Sequence, residues 1–299
     1  MYLIIAFRNL IQGGKRTWLL GIALALVAGL FIQLLSLSNG VHDSMIRAAT
    51  MLSAGHVNVS GFFKSTTSQS APIVTQMSRV KKIAEERVSE LAFVVDRHRG
   101  WAKAVSETNA MWAGLYGVDV EQEEQLLMQL DVALENEYID GGRPIPMGNP
   151  RDLAKTDTVM MFATQARKLG VTVGDRLTLR TETLRGISNT VDLTIVAVMR
   201  DIGMMSNWNL FVPRSTILKL YGLQDDSTGA VMLYLKDIED APEVMARLRE
   251  VYAAEGYKVM EHDPRPFFTK FEVVAGQDWT GQKLDLTTWD DEVSFLKWV

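Results

Sequence analysis

The stretch WLLGIALALVAGLFIQLLSL, residues 18–37, is the longest apolar run in the chain and limits its fold more than any other feature. No charged side chain occurs between Thr17 and Val41. A helix needs about 20 apolar residues to cross a bilayer core, whereas the apolar part of a secretory signal has about 7–15. Ser36-Leu37-Ser38 is also a poor cleavage site. The run therefore predicts a retained membrane helix, with a cleaved signal or a buried core helix as alternatives.

The positive charges around this run indicate its orientation. Arg8, Lys15 and Arg16 precede it, whereas no lysine or arginine follows it until Arg47. By the positive-inside rule the N-terminus lies in the cytoplasm and the rest of the chain is exported. The opening segment, MYLIIAFRNLIQGGKR, has apolar side chains at helical spacing and is predicted to lie in the inner membrane interface. An irregular N-terminus is the alternative.

Helical spacing continues beyond the run, through HDSMIRAATMLSAGH. There Met45, Ala48, Ala49 and Leu52 share one face, and Gly55 is a candidate helix C-cap. A helix continuous over residues 18–54 is about 55 Å long, of which the bilayer core takes about 30 Å. The remainder is predicted to project as a stalk.

The composition excludes several classes of function. A net charge of −5 gives no basic footprint for nucleic acid, and a chain without cysteine has no disulfide, thiolate metal site or cysteine nucleophile. The nearest approach to a phosphate loop, GQDWTGQK, lacks a lysine directly after its second glycine. The histidines show no ligand spacing; they are His42, His56, His98 and His262. We therefore predict no catalytic, metal-binding or cofactor-binding residue, and a protein that is not an enzyme.

Short strands and helices alternate after the stalk, in three groups. The first group has a strand in HVNVSGFF, a polar loop at 65–70, a helix at 77–91, a strand beginning at Phe93, and a hairpin of strands 101–105 and 111–118. The run Asp96-Arg97-His98-Arg99 is interpreted as a polar strand end. The second group follows the loop GGRPIPMGNP, with strands at 158–162, 191–199 and 210–212, a helix at 163–169, and a helix with Pro213 at its N1 position. The third group repeats the first, with a strand at 230–235, a helix at 242–254 and a strand at 257–261.

This order predicts an α+β fold: one N-terminal transmembrane helix with a stalk, then an exported domain made of a split βαβ subdomain with an inserted strand-rich subdomain. The predicted boundaries are a cytoplasmic amphipathic segment at 1–16, the transmembrane helix at 17–38, the stalk at 39–55, the split subdomain at 56–130 and 229–285, the inserted subdomain at 131–228, and the start of a second stalk or span at 286–299.

Four segments in this order resemble the permease subunits of bacterial ABC transporters of the macrolide-exporter, lipoprotein-releasing and FtsX-like group. The segments are AFRNLIQGGKRTWLLGIALALVAGLF, the stalk end GHVNV, LGVTVGDRLTL with VAVMRDIGMMSNWNLFVPRSTILKLYG, and the closing DLTTWDDEVSFLKWV. Such permeases have four spans, three of them after the extracytoplasmic core domain. The resemblance therefore implies that this chain corresponds to the N-terminal half, or that the partner helices lie on another chain.

The resemblance also implies a function. It predicts a subunit of the bacterial inner membrane that has its main domain in the periplasm and binds no cofactor itself. The expected partners are the membrane, a cytoplasmic ABC ATPase that uses ATP, a second permease subunit, and a periplasmic chaperone or lipoprotein. The stalk would pass motion outward to release a lipophilic cargo such as lipoproteins, a sub-class that GHVNV favours. A single-span membrane-anchored periplasmic sensor or binding module is the alternative.

Two sets of residues are candidate contacts. In the inserted block, the apolar loop with Met204, Met205 and Trp208 is a candidate surface for cargo or a periplasmic partner, because flexible Met-rich surfaces adapt to varied partners. Core packing of these methionines is the alternative. Near the N-terminus, the candidate cytoplasmic interface with the ATPase or the membrane comprises Phe7, Arg8, Asn9, Lys15 and Arg16.

Overall fold

One helix, α1 (Gly14–Leu52), contains the whole apolar run of the sequence. Its part Gly14–Val41 has a mean hydropathy of 2.4, and the most apolar residues of this part are not buried by the rest of the chain. Within the described residues, it is the one helix that is long and apolar enough to cross a membrane. At 1.5 Å per residue, the 39 residues of α1 extend for about 58 Å. The predicted membrane helix and stalk thus belong to one continuous helix, which ends two residues before the predicted Ala54.

The computed structural model describes residues 14–52, 54–67, 69–183 and 186–294. The chain divides into two units, Met1–Ala48 and Ala49–Val299. The strands are β1 (Val57–Thr66), β2 (Gln69–Ala71), β3 (Val74–Thr75), β4 (Leu91–Val105), β5 (Ala110–Val118), β6 (Thr158–Phe162), β7 (Arg176–Glu182), β8 (Ser188–Met199), β9 (Asn209–Pro213), β10 (Ser227–Thr228), β11 (Ala230–Leu235) and β12 (Gly281–Thr288). The helices after α1 are α2 (Met77–Arg87), α3 (Glu124–Met128), α4 (Glu135–Tyr138), α5 (Ala163–Leu169), α6 (Arg214–Tyr221), α7 (Ala241–Ala254), α8 (Phe271–Ala275) and α9 (Trp289–Glu292), with 3-10 turns at Pro150–Ala154, Gly203–Asn207, Ile238–Asp240 and Phe267–Thr269.

Four strands form the first part of the second unit, in the order β12-β1-β11-β4 with antiparallel neighbours. Because β11 lies between β1 and β4, the unit β1-α2-β4 is a split βαβ, and β11-α7-β12 is a second one interleaved with it. Apolar residues of α2 and α7 pack on this sheet around Val80, Val244 and Leu248. We call these four strands with α2 and α7 the split sheet; they confirm the predicted split βαβ arrangement.

Strand β4 continues out of the split sheet into a second arrangement. Its residues up to Arg97 pair with β11, and those from His98 onward pair with β5. From β5 the pairing runs through β9, β6, β8 and β7, and β7 pairs back with β4 at residues 103–105. Six strands therefore close into a ring, in which the contact between β6 and β9 is a single pair, Met160 with Phe211. Four of its strands, β6 to β9, lie in the predicted strand-rich insertion at 131–228, whereas the ring part of β4 and all of β5 lie in the segment predicted to belong to the split subdomain.

Inward-facing side chains fill the ring with an apolar core, since side chains alternate between the two faces of a strand. Helices α5 and α6 add to the same core through Ala166, Leu169, Ile217 and Leu220. The core residues on the strands include Ala102, Ala104, Ala113, Leu115, Val159, Met161, Leu177, Leu179, Leu193, Ile195 and Leu210. On the outer side of β6, β8 and β9, a separate apolar cluster is covered by the segment after β5.

Several predicted elements agree with the structure. The strands at 158–162 and 230–235 and the helix at 163–169 have the predicted bounds, and the hairpin of β4 and β5 is confirmed. The residues of Ala49–Val299 form one unit, so the predicted boundaries between the two subdomains stay predictions. By strand pairing, the ring begins at His98.

Other predicted elements are wrong in place or extent. Segment 257–261 forms no regular strand but only a bridge of Val259 to Leu284, made by the Met260 N–H donating to the Leu284 carbonyl and the Leu284 N–H donating to the Lys258 carbonyl. Pro264 and Pro266, which lack N–H groups, prevent the pairing from continuing further along the chain. Pro213 is the last residue of β9 and the N-cap of α6 rather than its N1 residue, because it still pairs with Val118.

The first group also differs at three places. The helix predicted to reach residue 91 ends at Arg87, because Val88 is already extended. The predicted polar loop at 65–70 is mostly strand, since β1 continues to Thr66 and β2 folds back on it. Asp96-Arg97-His98-Arg99 is no strand end; it lies in the middle of β4, and its first three side chains are buried.

Candidate functional site: the junction at the end of the long helix

The last residues of α1 belong to the second unit and are buried there. Thr50 and Leu52 are only 6% and 1% exposed. A helix end leaves its last carbonyl groups without partners in the helix, so other donors must satisfy them. Here the Tyr234 hydroxyl donates to the Thr50 carbonyl at 3.0 Å, and Arg97 Nη1 donates to the Leu52 carbonyl at 2.8 Å. Side chains of β11 and β4 thus hold the end of the helix.

Arg97 also forms a buried ion pair with Glu123, through its Nη2. The two side chains are 1% and 3% exposed. Arg97 stands where β4 passes from the split sheet to the ring, and Glu123 lies in the segment that follows β5. One guanidinium therefore joins three parts of the molecule: the end of α1, the split sheet, and the segment that covers the ring.

The electrostatics of this cluster favour its charged form. Burial is the largest influence on the pKa of Arg97 and lowers it, but the charge of Glu123, the neighbouring Tyr234 and the Glu123 hydrogen bond together outweigh burial, so the pKa lies above its ordinary value. Burial raises the pKa of Tyr234, partly offset by Arg97. The Arg97 guanidinium is buried between one carbonyl, that of Leu52, and one carboxylate, that of Glu123. Removing either charged side chain would leave the other charge buried without a partner, which is costly.

A tight connection follows the helix. The backbone N–H of Gly55 donates to Asn58 Oδ1 at 2.7 Å, and Asn58 Nδ2 donates to the Gly55 carbonyl at 3.2 Å. A Cβ at residue 55 would lie 2.9 Å from Met232 Cβ, so only glycine allows this approach. The interpretation of Gly55 as a helix C-cap is wrong, because α1 ends at Leu52 and Gly55 is not among the glycines with positive φ; its role is the close contact with β11.

The strands that begin and end the domain lie next to each other. Val57, the first residue of β1, pairs with Thr288, the last residue of β12. The Trp289 N–H donates to the His56 carbonyl at 3.0 Å. His56 Nδ1 accepts a hydrogen bond from the Leu235 N–H at 3.0 Å, and burial lowers the pKa of His56. The start of β1 and the end of β12 are thus held together beside the junction.

The predicted contact residues lie elsewhere. The loop with Met204 and Met205 forms the 3-10 turn Gly203–Asn207, and Trp208 is half exposed after it; the side chains of the two methionines lie outside the described part. Lys15 and Arg16 lie exposed in α1. The other members of the predicted cytoplasmic interface, Phe7, Arg8 and Asn9, are outside the described residues. The assignment of all these residues stays a prediction.

Sequence reasoning missed the junction. Arg97 is 45 residues from Leu52 and 26 from Glu123 in sequence, so no local spacing links them. The one signal was the charged run at residues 96–99 inside an apolar strand. In the part of the chain that the structure describes, no group of three histidine or carboxylate side chains is placed to hold a metal ion.

The sequence profile of the MacB-like periplasmic core domain matches residues 17–251, well over half of the chain. The chain belongs to this family. Members of the MacB-like family are permease components of ABC transporters and are not the ATPase. The match begins within α1 and ends in α7, so it includes the junction and the whole ring. No curated protein matches the chain in sequence.

Solved structures of related proteins are distant from this MacB-like chain. The extracellular domain of the noncanonic ABC-type transporter YknZ from Gram-positive bacteria is 14% identical, with a TM-score of 0.41, and covers 66% of this chain and 95% of its own. The periplasmic region of MacB from Actinobacillus actinomycetemcomitans is 14% identical, with a TM-score of 0.42, and covers 83% and 98%. A domain of a putative permease protein from Porphyromonas gingivalis is 15% identical, with a TM-score of 0.36, and covers 66% and 81%. The assignment rests on the family match.

Proposed function

We propose that this chain is the membrane permease subunit of an ABC-type exporter or mechanotransmission complex. It couples ATP hydrolysis by a separate cytoplasmic subunit to the release of a lipophilic cargo, such as a lipoprotein, on the outer side of the bacterial inner membrane. Family membership supports the permease assignment. The cargo, the ATPase partner, the second permease subunit and the orientation with the N-terminus in the cytoplasm are parts of the proposal.

The junction is the observation that carries the proposal. A helix that relays motion needs a connection that does not absorb the motion at its far end. In this chain the helix end is buried and paired with Arg97 and Tyr234, and only residues 53–56 separate it from β1. Since Arg97 also binds Glu123, a displacement of Leu52 acts on the split sheet and on the cover of the ring at the same time.

This arrangement favours a relay over a sensor. A single-span sensor needs a ligand site in its exported domain, whereas the buried polar groups at the junction are engaged with the helix end. No catalytic step is assigned to the chain. Its residues hold, orient and transmit, and the chemistry of ATP hydrolysis belongs to the partner.

Purification of the tagged full chain from bacterial membranes tests this function. We expect an ABC ATPase to co-purify, and ATP to drive release of a lipid-modified protein from the reconstituted complex. A stable homodimer without an ATPase, carrying a bound soluble ligand, would instead support the membrane-anchored sensor and contradict the proposal.

A further inference from the structure

The split sheet and the ring have separate apolar cores. One buried apolar cluster consists of residues of the ring and the segments between its strands, and another of residues of the split sheet and its attached segments. Within the described residues, each of the remaining apolar clusters contains residues of one of these two bodies and none of the other. Apolar packing therefore stabilises each body but does not hold one against the other. Relative motion between two parts of a chain is expected unless their interface is large and hydrophobic.

In the described part of the second unit, the chain passes between the two bodies at two places. Strand β4 leaves the split sheet after Arg97. The chain returns between Leu223, which packs on the ring core, and Asp226, whose carboxylate accepts hydrogen bonds from the N–H and the hydroxyl of Ser78 in α2 at 2.8 and 2.6 Å. Strand β10 then pairs with β3. We call the two crossings, after residue 97 and at residues 224–225, the neck.

One arginine of the ring contacts both crossings of the neck. Arg214, the first residue of α6, has its Nη1 3.5 Å from Oδ2 of Asp96, and its Nη2 donates to the Asp225 carbonyl at 2.5 Å. Asp96 is 7% exposed, and Lys81 of α2 approaches its other carboxylate oxygen at 3.6 Å. Because successive side chains of a strand point to opposite faces, Asp96 lies on the face of β4 opposite Arg97.

The end of α1 contacts both bodies on the Arg97 face. Its carbonyl groups accept hydrogen bonds from Tyr234 and Arg97 of the split sheet, whereas Leu52 belongs to the apolar cluster on the outer side of the ring. On the same face Arg99 lies over the ring of Phe267, at 5.6 Å from its centre. A displacement of the helix end that moves its two contacts by different amounts turns one body relative to the other.

We propose that the neck is a hinge on which the ring turns against the split sheet, and that Arg214 is the latch that limits the turn. A hinge needs a few residues that absorb a change of backbone angle, and the two short crossings here separate bodies that have cores of their own. The turn is small, because both bodies belong to one unit of the chain. The purpose of the hinge rests on the proposed relay function, whereas its test measures a distance in the chain alone.

A small turn at the neck gives a measurable displacement at the far end of the ring. From Arg97 to Val105, the last residue of β4, the strand extends for about 25 Å at 3.3 Å per residue. A turn of about 10° at the neck moves that end by about 4 Å. Glu107, in the exposed turn that follows β4, is therefore a suitable position for a probe.

Spin labels can be placed at chosen positions because the chain has no cysteine. Glu107→Cys is combined with Lys82→Cys on α2 and, in a second sample, with Glu243→Cys on α7, since one distance does not report a displacement at right angles to it. Double electron–electron resonance on the full chain in nanodiscs measures both distances. In Arg214→Gln we expect at least one distance distribution to shift or widen by about 3 Å or more, because the latch is lost.

The matched control is Arg247→Gln, which removes an arginine that pairs with Glu90 inside the split sheet. The side chains of Arg214 and Arg247 are 28% and 36% exposed, so the two substitutions remove similar groups. The control should leave both distances within about 1 Å of those of the parent chain. Unchanged distances in Arg214→Gln, or equal changes in the two variants, overturn the proposal.

A second variant breaks the same ion pair from the other side. Arg214→Gln leaves Asp96 paired with Lys81, so the buried carboxylate keeps a partner and we expect the chain to stay folded. Asp96→Asn should give the same change of distance, and thermal unfolding followed by tryptophan fluorescence identifies a variant that has lost its fold. These distances need neither the ATPase nor the cargo. Failure of the hinge is therefore distinct from failure of the transport function, which co-purification and ATP-driven release measure.

Discussion

The split sheet and the ring are stabilised in different ways. The core of the ring is apolar throughout, with residues such as Leu179 and Leu193 fully buried. In the described part, the buried side chains of charged residue types belong to the split sheet, its attached segments, the junction and the first residue of the ring, His98: Lys64, Asp96, Arg97, His98, Glu123, Lys270, Asp285, Asp291 and Glu292. Apolar burial is non-directional, whereas a charge-assisted hydrogen bond fixes one atom against another. The ring is therefore held together mainly by apolar packing. At the split sheet, buried ion pairs and hydrogen bonds fix the positions of the segments that contact it.

The charged attachments occur in two places. At the junction, Arg97 and Glu123 hold the end of α1. On the same sheet, Lys270 and Asp285 form a second buried ion pair, 1% and 0% exposed, that fixes the turn Phe267–Thr269 and α8 to β12. Lys64 adds donors to the carbonyls of Val274 and Gln277. The second pair is thus matched to the first in burial but does not touch the helix end.

The largest effect on stability is expected from unpairing the junction. Arg97→Met leaves Glu123 buried without its partner and should lower the free energy of unfolding by about 3–5 kcal/mol. Arg97→Met/Glu123→Gln removes both charges and should recover most of that loss. Thermal unfolding of the full chain in detergent, followed by tryptophan fluorescence, measures both. A double variant as unstable as the single one would show that charge pairing is not what the junction depends on.

Truncation in the ring should give a similar loss without any electrostatic component. Leu193→Ala creates a cavity in a fully apolar core and should cost about 2–5 kcal/mol. The neighbouring exposed Thr194→Ala is the control and should change stability by less than about 0.5 kcal/mol. The Leu193 loss should not vary with salt concentration. A strong salt dependence would break the distinction between an apolar ring and a charged split sheet.

Acid should destabilise the fold through His98, at the point where β4 passes from the split sheet to the ring. Burial, with the nearby Arg214 opposing protonation and Asp96 favouring it, lowers the pKa of His98 to about 4. The folded state therefore resists a proton that the unfolded state takes up below its ordinary pKa of about 6.5. Stability is fully present above pH 6.5 and falls as the pH drops towards 4, by up to roughly 3 kcal/mol. His98→Gln should flatten this part of the stability profile; an unchanged slope contradicts the assignment.

The smallest effect is expected at the end of the domain. Thr288 caps α9, with its hydroxyl accepting from the Asp291 N–H at 3.3 Å and its own N–H donating to Asp291 Oδ2 at 2.8 Å. Thr288→Ala should cost about 1 kcal/mol, and Thr288→Ser should cost less because it keeps the cap. Equal losses in chemical unfolding of the two variants would mean that the methyl group, not the cap, matters there.

Much of the fold could be predicted from the sequence because its signals are local. Alternation of apolar residues gave the hairpin of β4 and β5, and the helical spacing of Val80, Ile83 and Ala84 placed α2. The resemblance in segment order identified the family. Closure of the ring through the pairing of Lys103 with Arg180 was not predictable, because the sequence of a strand does not indicate which distant strand it pairs with.

The candidate site could not be predicted for the same reason. The charged run at residues 96–99 conflicts with its position in an apolar strand, and that conflict is a signal of a buried polar network. Its partners, the Leu52 carbonyl and Glu123, become neighbours only through the fold. The prediction of a polar strand end failed because β4 continues from one sheet into another at that point.

The central claim of the proposed function is that the junction transmits motion from the long helix to the split sheet and the cover of the ring. Arg97→Met/Glu123→Gln and the matched Lys270→Met/Asp285→Asn can be compared in the reconstituted complex by the cargo released per ATP hydrolysed. We predict that the junction variant loses at least about tenfold, a coupling free energy of about 1.4 kcal/mol, while ATP hydrolysis continues and the matched variant stays within about twofold. Equal release per ATP in the two variants would contradict the account.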